Sequence, residues 1–255
     1  MGTALVTGAS AGLGRAFATE IAARGHDVVL VARDASRLEE LAAEINRRYE
    51  VSTEVLAADL ADRVQLQQVA DRLADPARPI DLLVNNAGFG INHDFTAGDI
   101  ADEERALEVM VRAVLVASHA AAGAMTSRGQ GAILNVSSVA SFTVMGTYSA
   151  IKAWATTFSE ALAAELDGTG VTVTALCPGF VRTEFHERAA MQLPELPERF
   201  WLDPHRVAQD ALADIAAGKV ISIPSIEYKA IVAGMRLVPR SVARGMARRM
   251  NERRR

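Results

Sequence analysis

The chain holds a single cysteine, Cys177, among its 255 residues, which excludes an internal disulfide framework. Standing beside Pro178 at the end of an apolar run, that thiol reads as a buried core residue and not a nucleophile. No basic, apolar, small-residue leader opens the sequence, because Ala4-Leu5-Val6 already reads as a strand. Val6 stands where N-myristoylation wants Ser or Thr. No uninterrupted apolar run reaches about 18 residues, so no transmembrane span is expected. The five histidines show no metal-ligand spacing, and His93 and His186 read as solvated loop residues in preference to substrate contacts. No Pro/Gly/Ser linker, repeat or low-complexity stretch divides the chain. The expectation is one cytoplasmic domain spanning residues 1–255.

Half the residues are hydrophobic and the formal net charge is only −4, as in an ordinary globular protein. The charge is unevenly spread. Residues 236–255 hold eight arginines against one acid, Glu252, so an acidic body carries a basic tail. Arg240, Arg244 and Arg248 recur at four-residue spacing with Val242, Met246 and Met250 between them. That pattern fits a basic amphipathic helix in weak contact with an anionic membrane surface. A solvated terminal helix is the reading preferred over it. Nucleic-acid binding is not expected, since the body is acidic and carries no recognition motif.

Short Val/Leu/Ile runs alternate with longer helical patterns, the signature of a parallel sheet built from βαβ units. Strands are expected near 3–8, 27–32, 52–58, 81–85, 131–137, 171–177 and 219–223, and helices over 13–24, 34–48, 62–74, 102–127, 147–167 and 204–217. The fold class is therefore α/β, a doubly wound Rossmann-type parallel sheet with helices on both faces.

The first βα turn reads Thr7-Gly8-Ala9-Ser10-Ala11-Gly12-Leu13-Gly14. Glycines there let the backbone turn sharply and approach a pyrophosphate, whose charge the following helix N-terminus favours. A glycine trio alone is weak evidence, but this one follows a strand and opens a helix. The second strand ends at Ala32-Arg33, where an acid commonly meets a bare ribose. A guanidinium suits a 2′-phosphate instead, so NADP(H) is preferred over NAD(H). Asp34 looks like the N-cap of the next helix. Asp59-Leu60 is placed to touch the adenine edge, or else Asp59 caps the helix that follows. Asn85-Asn86-Ala87-Gly88 ends the fourth strand, where amides can bridge neighbouring strands and glycine leaves room for a cofactor.

In Tyr148-Ser149-Ala150-Ile151-Lys152, Tyr148 and Lys152 lie one helical turn apart on the same face. An ammonium so close to a phenol favours the phenolate. Ten residues upstream of the tyrosine, Ser138 closes an apolar run and aims a hydroxyl at the same place. Taken together, Thr7 to Gly14, Asn85 to Gly88, Ser138, Tyr148 to Lys152 and Pro178-Gly179 resemble the short-chain dehydrogenase/reductase family, in order from residue 3 to about 223.

The resemblance implies a seven-stranded sheet of order 3-2-1-4-5-6-7, a nicotinamide cofactor, and hydride exchange with a carbonyl or alcohol. It implies that Tyr148 is the acid in reduction and the base in oxidation. Lys152 would lower the tyrosine's pKa and hold the nicotinamide ribose, and Ser138 would hydrogen-bond the carbonyl oxygen. Asn86, Ala87 and Gly88 would line the adenosine and ribose. Pro178, Gly179 and Val181 would pack on the nicotinamide, with Thr183 near its carboxamide or the phosphates. A homodimer or homotetramer built on the alanine-rich faces of 113–124 and 150–164 is also implied.

Two departures from the family's pattern stand out. Its long helix after the fourth strand commonly carries an asparagine that anchors a proton-relay water. Met110 aligns there, no Asn occurs in 102–127, and a thioether is a poor substitute. The relay would use backbone groups or another water. Ser138 and Tyr148 are also closer together than is usual, so the loop from Val139 to Thr147 is expected to be short. Residues 184–204, with three prolines and Phe185, Met191, Leu193, Leu196, Phe200, Trp201 and Leu202, form a candidate lid over an apolar substrate. Each of these apolar side chains serves equally to pack the loop. Phe142, Val144 and Met145 are expected to form the opposite wall. The functional expectation is an NADPH-dependent reductase of an apolar ketone, aldehyde or oxoacyl compound, or the reverse alcohol dehydrogenase. The alternatives are a non-catalytic NADP(H)-binding regulator and an epimerase or lyase on the same fold.

Overall fold

The computed structural model describes residues 2–91, 93–144, 146–184, 197–238, 241 and 245. Strands β1 (Thr3–Thr7), β2 (Asp27–Ala32), β3 (Thr53–Ala57), β4 (Leu82–Asn85), β5 (Gly131–Val136) and β6 (Val171–Leu176) match the expected runs closely. Two two-residue strands, β7 (Phe180–Val181) and β8 (Trp201–Leu202), pair with each other outside the main sheet. The last strand, β9 (Ile221–Ser222), completes a sheet of order β3-β2-β1-β4-β5-β6-β9. All its pairings are parallel, so the topology is the one the resemblance implied.

Period-two alternation explains why these runs are strands buried on both sides. Ala4, Val6, Val28 and Leu30 face one core, while Leu5, Val29 and Val31 face the other. Helices α1 (Gly12–Ala22) and α2 (Ala35–Arg48) cover the first face with Phe17, Ile21, Leu38 and Leu41. Helix α3 (Arg63–Ala74) covers the second with Leu66, Val69 and Leu73.

A long helix follows β4. It comprises α4 (Ile100–Leu107), a π-helical turn (Glu108–Arg112) and α5 (Ala113–Arg128). An unbroken α-helix was expected here, and the π-turn is a correction: it inserts one extra residue into the helical repeat. By length and composition the stretch Ile100–Arg128 is apolar enough to cross a membrane. Its alanines at 113, 117 and 121, together with Met125, are instead buried against the sheet. Helix α6 (Gly146–Glu165) packs beside β6, and α7 (Pro204–Ala216) joins α1 on the first face. Helix α8 (Ile226–Leu237) was not expected from the sequence. Of the basic tail, residues 239–240, 242–244 and 246–255 lie outside the described residues, as do Met145 and residues 185–196 of the candidate lid.

The helix starts differ in a way that bears on function. Asp34, Asp62, Asp99, Asp203 and Ser225 each cap the N-terminus of their helix by accepting a backbone N–H. Each such cap is worth about 1 kcal/mol. Helix α1 has Ala11 at its N-cap position and no side-chain cap. Its orphan N–H groups remain available for an anion.

Candidate active site

The glycine turn is assembled by backbone meeting backbone. Gly8 and Gly12 adopt φ of 67° and 54°, a region L side chains rarely occupy. A Cβ on Gly14 would lie 2.2 Å from Gly8 O, and one on Gly8 2.9 Å from Ala87 Cα. One on Gly12 would meet Thr183 Cβ at 3.2 Å, so Thr183 stands beside the turn. Thr7 and Asn86 weld the turn to the end of β4. The Thr7 hydroxyl accepts from Asn86 N (2.9 Å) and Ala87 N (3.1 Å), and Asn86 Nδ2 donates to Thr7 O (2.9 Å). Asn85 acts one strand over, donating to Asn135 Oδ1 (2.9 Å) and Ser118 Oγ (3.0 Å). Asn135 in turn donates to Ser159 Oγ (2.9 Å). A buried polar chain thus ties β4 and β5 to α5 and α6, as bridging amides should.

Arg33, at the carboxyl end of β2, is exposed and forms no ion pair among the described residues. Asp34 caps α2 as expected, accepting from Arg37 N at 3.1 Å. The capping reading of Asp59 is corrected, because Asp62 caps α3. Asp59 instead accepts from Ala61 N (3.0 Å) and Arg105 (2.8 Å). Burial raises the Asp59 carboxyl, but these hydrogen bonds and the charges of Arg105 and Arg33 outweigh it and hold the group below its ordinary value. Leu60 beside it is buried.

Beyond Gly88 the wall becomes side-chain chemistry. Lys152 is 6% exposed and donates from Nζ to Val136 O at 2.9 Å. Its Nζ lies 3.8 Å from the place a Gly88 Cβ would occupy, and 5.6 Å from the centre of the Tyr148 ring. Burial lowers the Lys152 pKa to about 8, with Cys177 acting the other way. Burial pushes the Tyr148 phenol well above its ordinary value, and a hydrogen bond with Ser138 acts against that. This corrects the simple expectation that a lysine one turn away lowers the phenol. Desolvation of Tyr148 wins here, and the Lys152 ammonium is spent on a carbonyl. Ser138 Oγ also accepts from Ala140 N (3.1 Å) as it caps a short 3-10 turn, Val139–Phe142. The described part of the loop after Ser138 is therefore compact.

Met110 lies in the π-turn, buried with Ala106, Val109 and Ile151, and Tyr148 packs on this cluster. Its sulfur would be 3.1 Å from a Gly88 Cβ, so a thioether fills the space beside Gly88 and Lys152. Cys177 is fully buried, and burial raises its thiol, as a core residue requires. His93 is not the solvated residue expected: neither ring nitrogen has a hydrogen-bond partner among the described residues, and Nε2 is 3.7 Å from Asp102.

Sequence reasoning missed two residues. Buried Glu103 accepts from Thr147 Oγ1 at 3.0 Å, pinning the start of α6 to α4. Tyr228 of α8 packs its ring against Gly179, where a Cβ would lie 1.9 Å from Tyr228 Cζ. The glycine after Pro178, assigned from the sequence to packing on the nicotinamide, was the one available signal for such a close neighbour. Phe142 lies under Arg236 of α8, 5.1 Å from guanidinium carbon to ring centre. Val181 is buried in β7.

The uncapped helix, the backbone cradle and the sheet topology define a nucleotide-binding α/β protein of the doubly wound type. Comparison with known proteins places it further. The family model described as short chain dehydrogenase matches residues 2–193. Sulfoacetaldehyde reductase 2 of Chromohalobacter salexigens is 37% identical over 186 residues, covering 71% of this chain and 73% of that one. A short-chain dehydrogenase from Sphingobium yanoikuyae in complex with NADPH superposes with a TM-score of 0.84 at 34% identity, covering 92% and 94% of the two chains. The bulky-bulky ketone specific alcohol dehydrogenase from Comamonas testosteroni gives a TM-score of 0.80 at 30% identity, with 92% of each chain covered. The chain belongs to the short-chain dehydrogenase/reductase family and is an oxidoreductase of that family.

Proposed function

We propose that this protein is an NADPH-dependent reductase of a bulky, apolar ketone, aldehyde or oxoacyl compound, or the reverse alcohol dehydrogenase. The observation that carries the reading is the convergence of Ser138, Tyr148 and Lys152 beside Gly88, at the far end of a cradle that starts at an uncapped helix. The residues fit a dinucleotide. Gly8, Ser10, Ala11, Gly12, Leu13 and Gly14 would hold the pyrophosphate on the α1 N-terminus. Arg33 would meet the 2′-phosphate, with Asp59 and Leu60 at the adenine and Asn86, Ala87 and Gly88 along the adenosine and ribose. Tyr148 and Lys152 would hold the nicotinamide ribose. Pro178, Gly179 and Val181 would back the nicotinamide, and Thr183 would stand near its carboxamide or the phosphates.

When bound, NADPH supplies the hydride that reaches the carbonyl carbon. Ser138 hydrogen-bonds the carbonyl oxygen, and Tyr148 gives that oxygen its hydroxyl proton. Burial keeps the phenol protonated, so it carries the proton to be given, and efficient transfer requires the bound state to bring its pKa back toward the working pH. Lys152, held on Val136 O, fixes the ribose. Preference for a bulky apolar substrate draws on the aromatic and aliphatic residues of 184–204 and on the Comamonas relative's stated specificity. Pairing of the two long helices into a homodimer or homotetramer belongs to the same reading. Its support is Trp154 and Phe158 stacked at 4.9 Å on α6 and the exposure of Leu115 on α5.

The test is nicotinamide absorbance with NADPH or NADH and a panel of carbonyl compounds graded by size and polarity. Consumption of NADPH in preference to NADH, greatest with bulky ketones, is the expected result. Tight NADPH binding without consumption across the panel would favour a regulatory protein.

A further inference from the structure

The geometry points to Tyr228, in helix α8, as a positioning residue that sets the place of the Pro178–Gly179–Phe180 segment, and through it the nicotinamide end of the cofactor site. The role rests on the functional reading above. Helix α8 lies beyond residues 2–193 that the family model matches.

Tyr228 is 4% exposed. Its hydroxyl accepts from Phe180 N at 3.1 Å and donates to Phe200 O at 2.8 Å. One side chain therefore bridges the start of β7 to the turn just before β8, two strands that pair only over Phe180↔Trp201 and Val181↔Leu202. The ring occupies the space a Gly179 side chain would need, and it meets the Phe200 ring edge-on at 6.0 Å. Gly179 thus has a fixed surface behind it and can move neither backward nor gain a Cβ.

Two further contacts carry this placement to the reacting groups. Pro178 O accepts from Val139 N at 3.0 Å, joining the segment to the turn that Ser138 caps. Arg236, two turns beyond Tyr228 on the same helix, covers Phe142 of that turn. The helix is aimed by Ser225, whose φ of 87° is the one positive value among non-glycine described residues and whose hydroxyl caps Tyr228 N. A strained residue at that point persists because its surroundings hold it. Burial keeps the Tyr228 phenol above its ordinary value against the Phe180 hydrogen bond, so it remains a hydroxyl able to donate and accept together.

The test is Tyr228→Phe, which keeps the ring and removes both hydrogen bonds. Binding of NADPH and of 2′,5′-ADP, which has the adenosine half alone, is measured by calorimetry on wild type and variant. The expected result is an NADPH dissociation constant raised about tenfold, as loss of two buried hydrogen bonds allows, with 2′,5′-ADP binding unchanged. Equal losses for both ligands, or none for either, overturn the positioning role. If the phenylalanine variant does not fold, Tyr228→His, whose shorter ring cannot reach both Phe180 N and Phe200 O, carries the same comparison. A wild-type chain that binds 2′,5′-ADP and NADPH equally poorly overturns the functional reading first, and the positioning role with it.

Discussion

At the end of the site proposed to hold the adenosine half of the cofactor, the backbone does the shaping. Gly14 leaves no room between itself and Gly8 O, Gly8 rests on Ala87, and α1 starts with its N–H groups uncapped. At the reaction end the shaping is done by buried side chains, namely Lys152 on Val136 O, Ser138 on Tyr148, and Met110 beside Gly88. A backbone site is stiff and chemically plain, suited to a charged group that must only be held. A site of buried titratable groups is costly to build, and its chemistry is set by how burial shifts each proton. Binding and turnover should therefore separate under mutation.

The largest expected effect is at the reaction end. Tyr148→Phe should lower kcat about a thousandfold, the scale of a lost general acid, while NADPH binding by calorimetry stays near wild type. Equal loss of both would erase the division of labour. Next is the seam between the two ends. Asn85→Ala removes a buried amide from Asn135 and Ser118 and should cost about 1–3 kcal/mol in urea denaturation. At the adenosine end, Arg33→Ala should raise the KM for NADPH about tenfold by removing a charge-assisted phosphate contact, and leave the KM for NADH alone. Unchanged preference would move 2′-phosphate recognition elsewhere.

The last test is a pH slope. The folded pKa of Lys152 is depressed from 10.5 to about 8, so between those values the unfolded chain holds more protons than the folded one. Stability contributed by this group is complete above about pH 10.5 and lost as pH falls through 8. Lys152→Met should flatten that part of the stability–pH curve, as followed by urea melts at several pH values.

The adenosine end was largely legible in the sequence because glycines in a strand–turn–helix context report backbone shape directly. The strands were legible from apolar runs, and Ser138, Tyr148 and Lys152 from residue types that rarely coincide. What escaped depends on distance in three dimensions. Tyr228 reaches Phe180 across 48 positions, and Glu103 reaches Thr147 across 44, contacts that no local pattern announces. Helix α8 buries only Tyr228 and Val232 deeply, too few for a clear period. The π-turn escaped because Glu108-Val109-Met110-Val111-Arg112 contains no breaker. The phenol's shift escaped because spacing shows the lysine nearby but not the burial that overrides it.

That π-turn also makes the helix's residue count a variable in its own right. With one residue more than α-helical hydrogen bonding requires at Glu108–Arg112, a single deletion there would restore regular winding. A widened turn takes up its extra residue locally, so α4 and α5 would stay close to their present relation and the deletion would act on the turn itself. Which side chain fills the space beside Gly88, now that of Met110, would depend on which of the five residues is removed, while Glu103 would keep Thr147. In this helix a length change that looks neutral for folding is a change of active-site address.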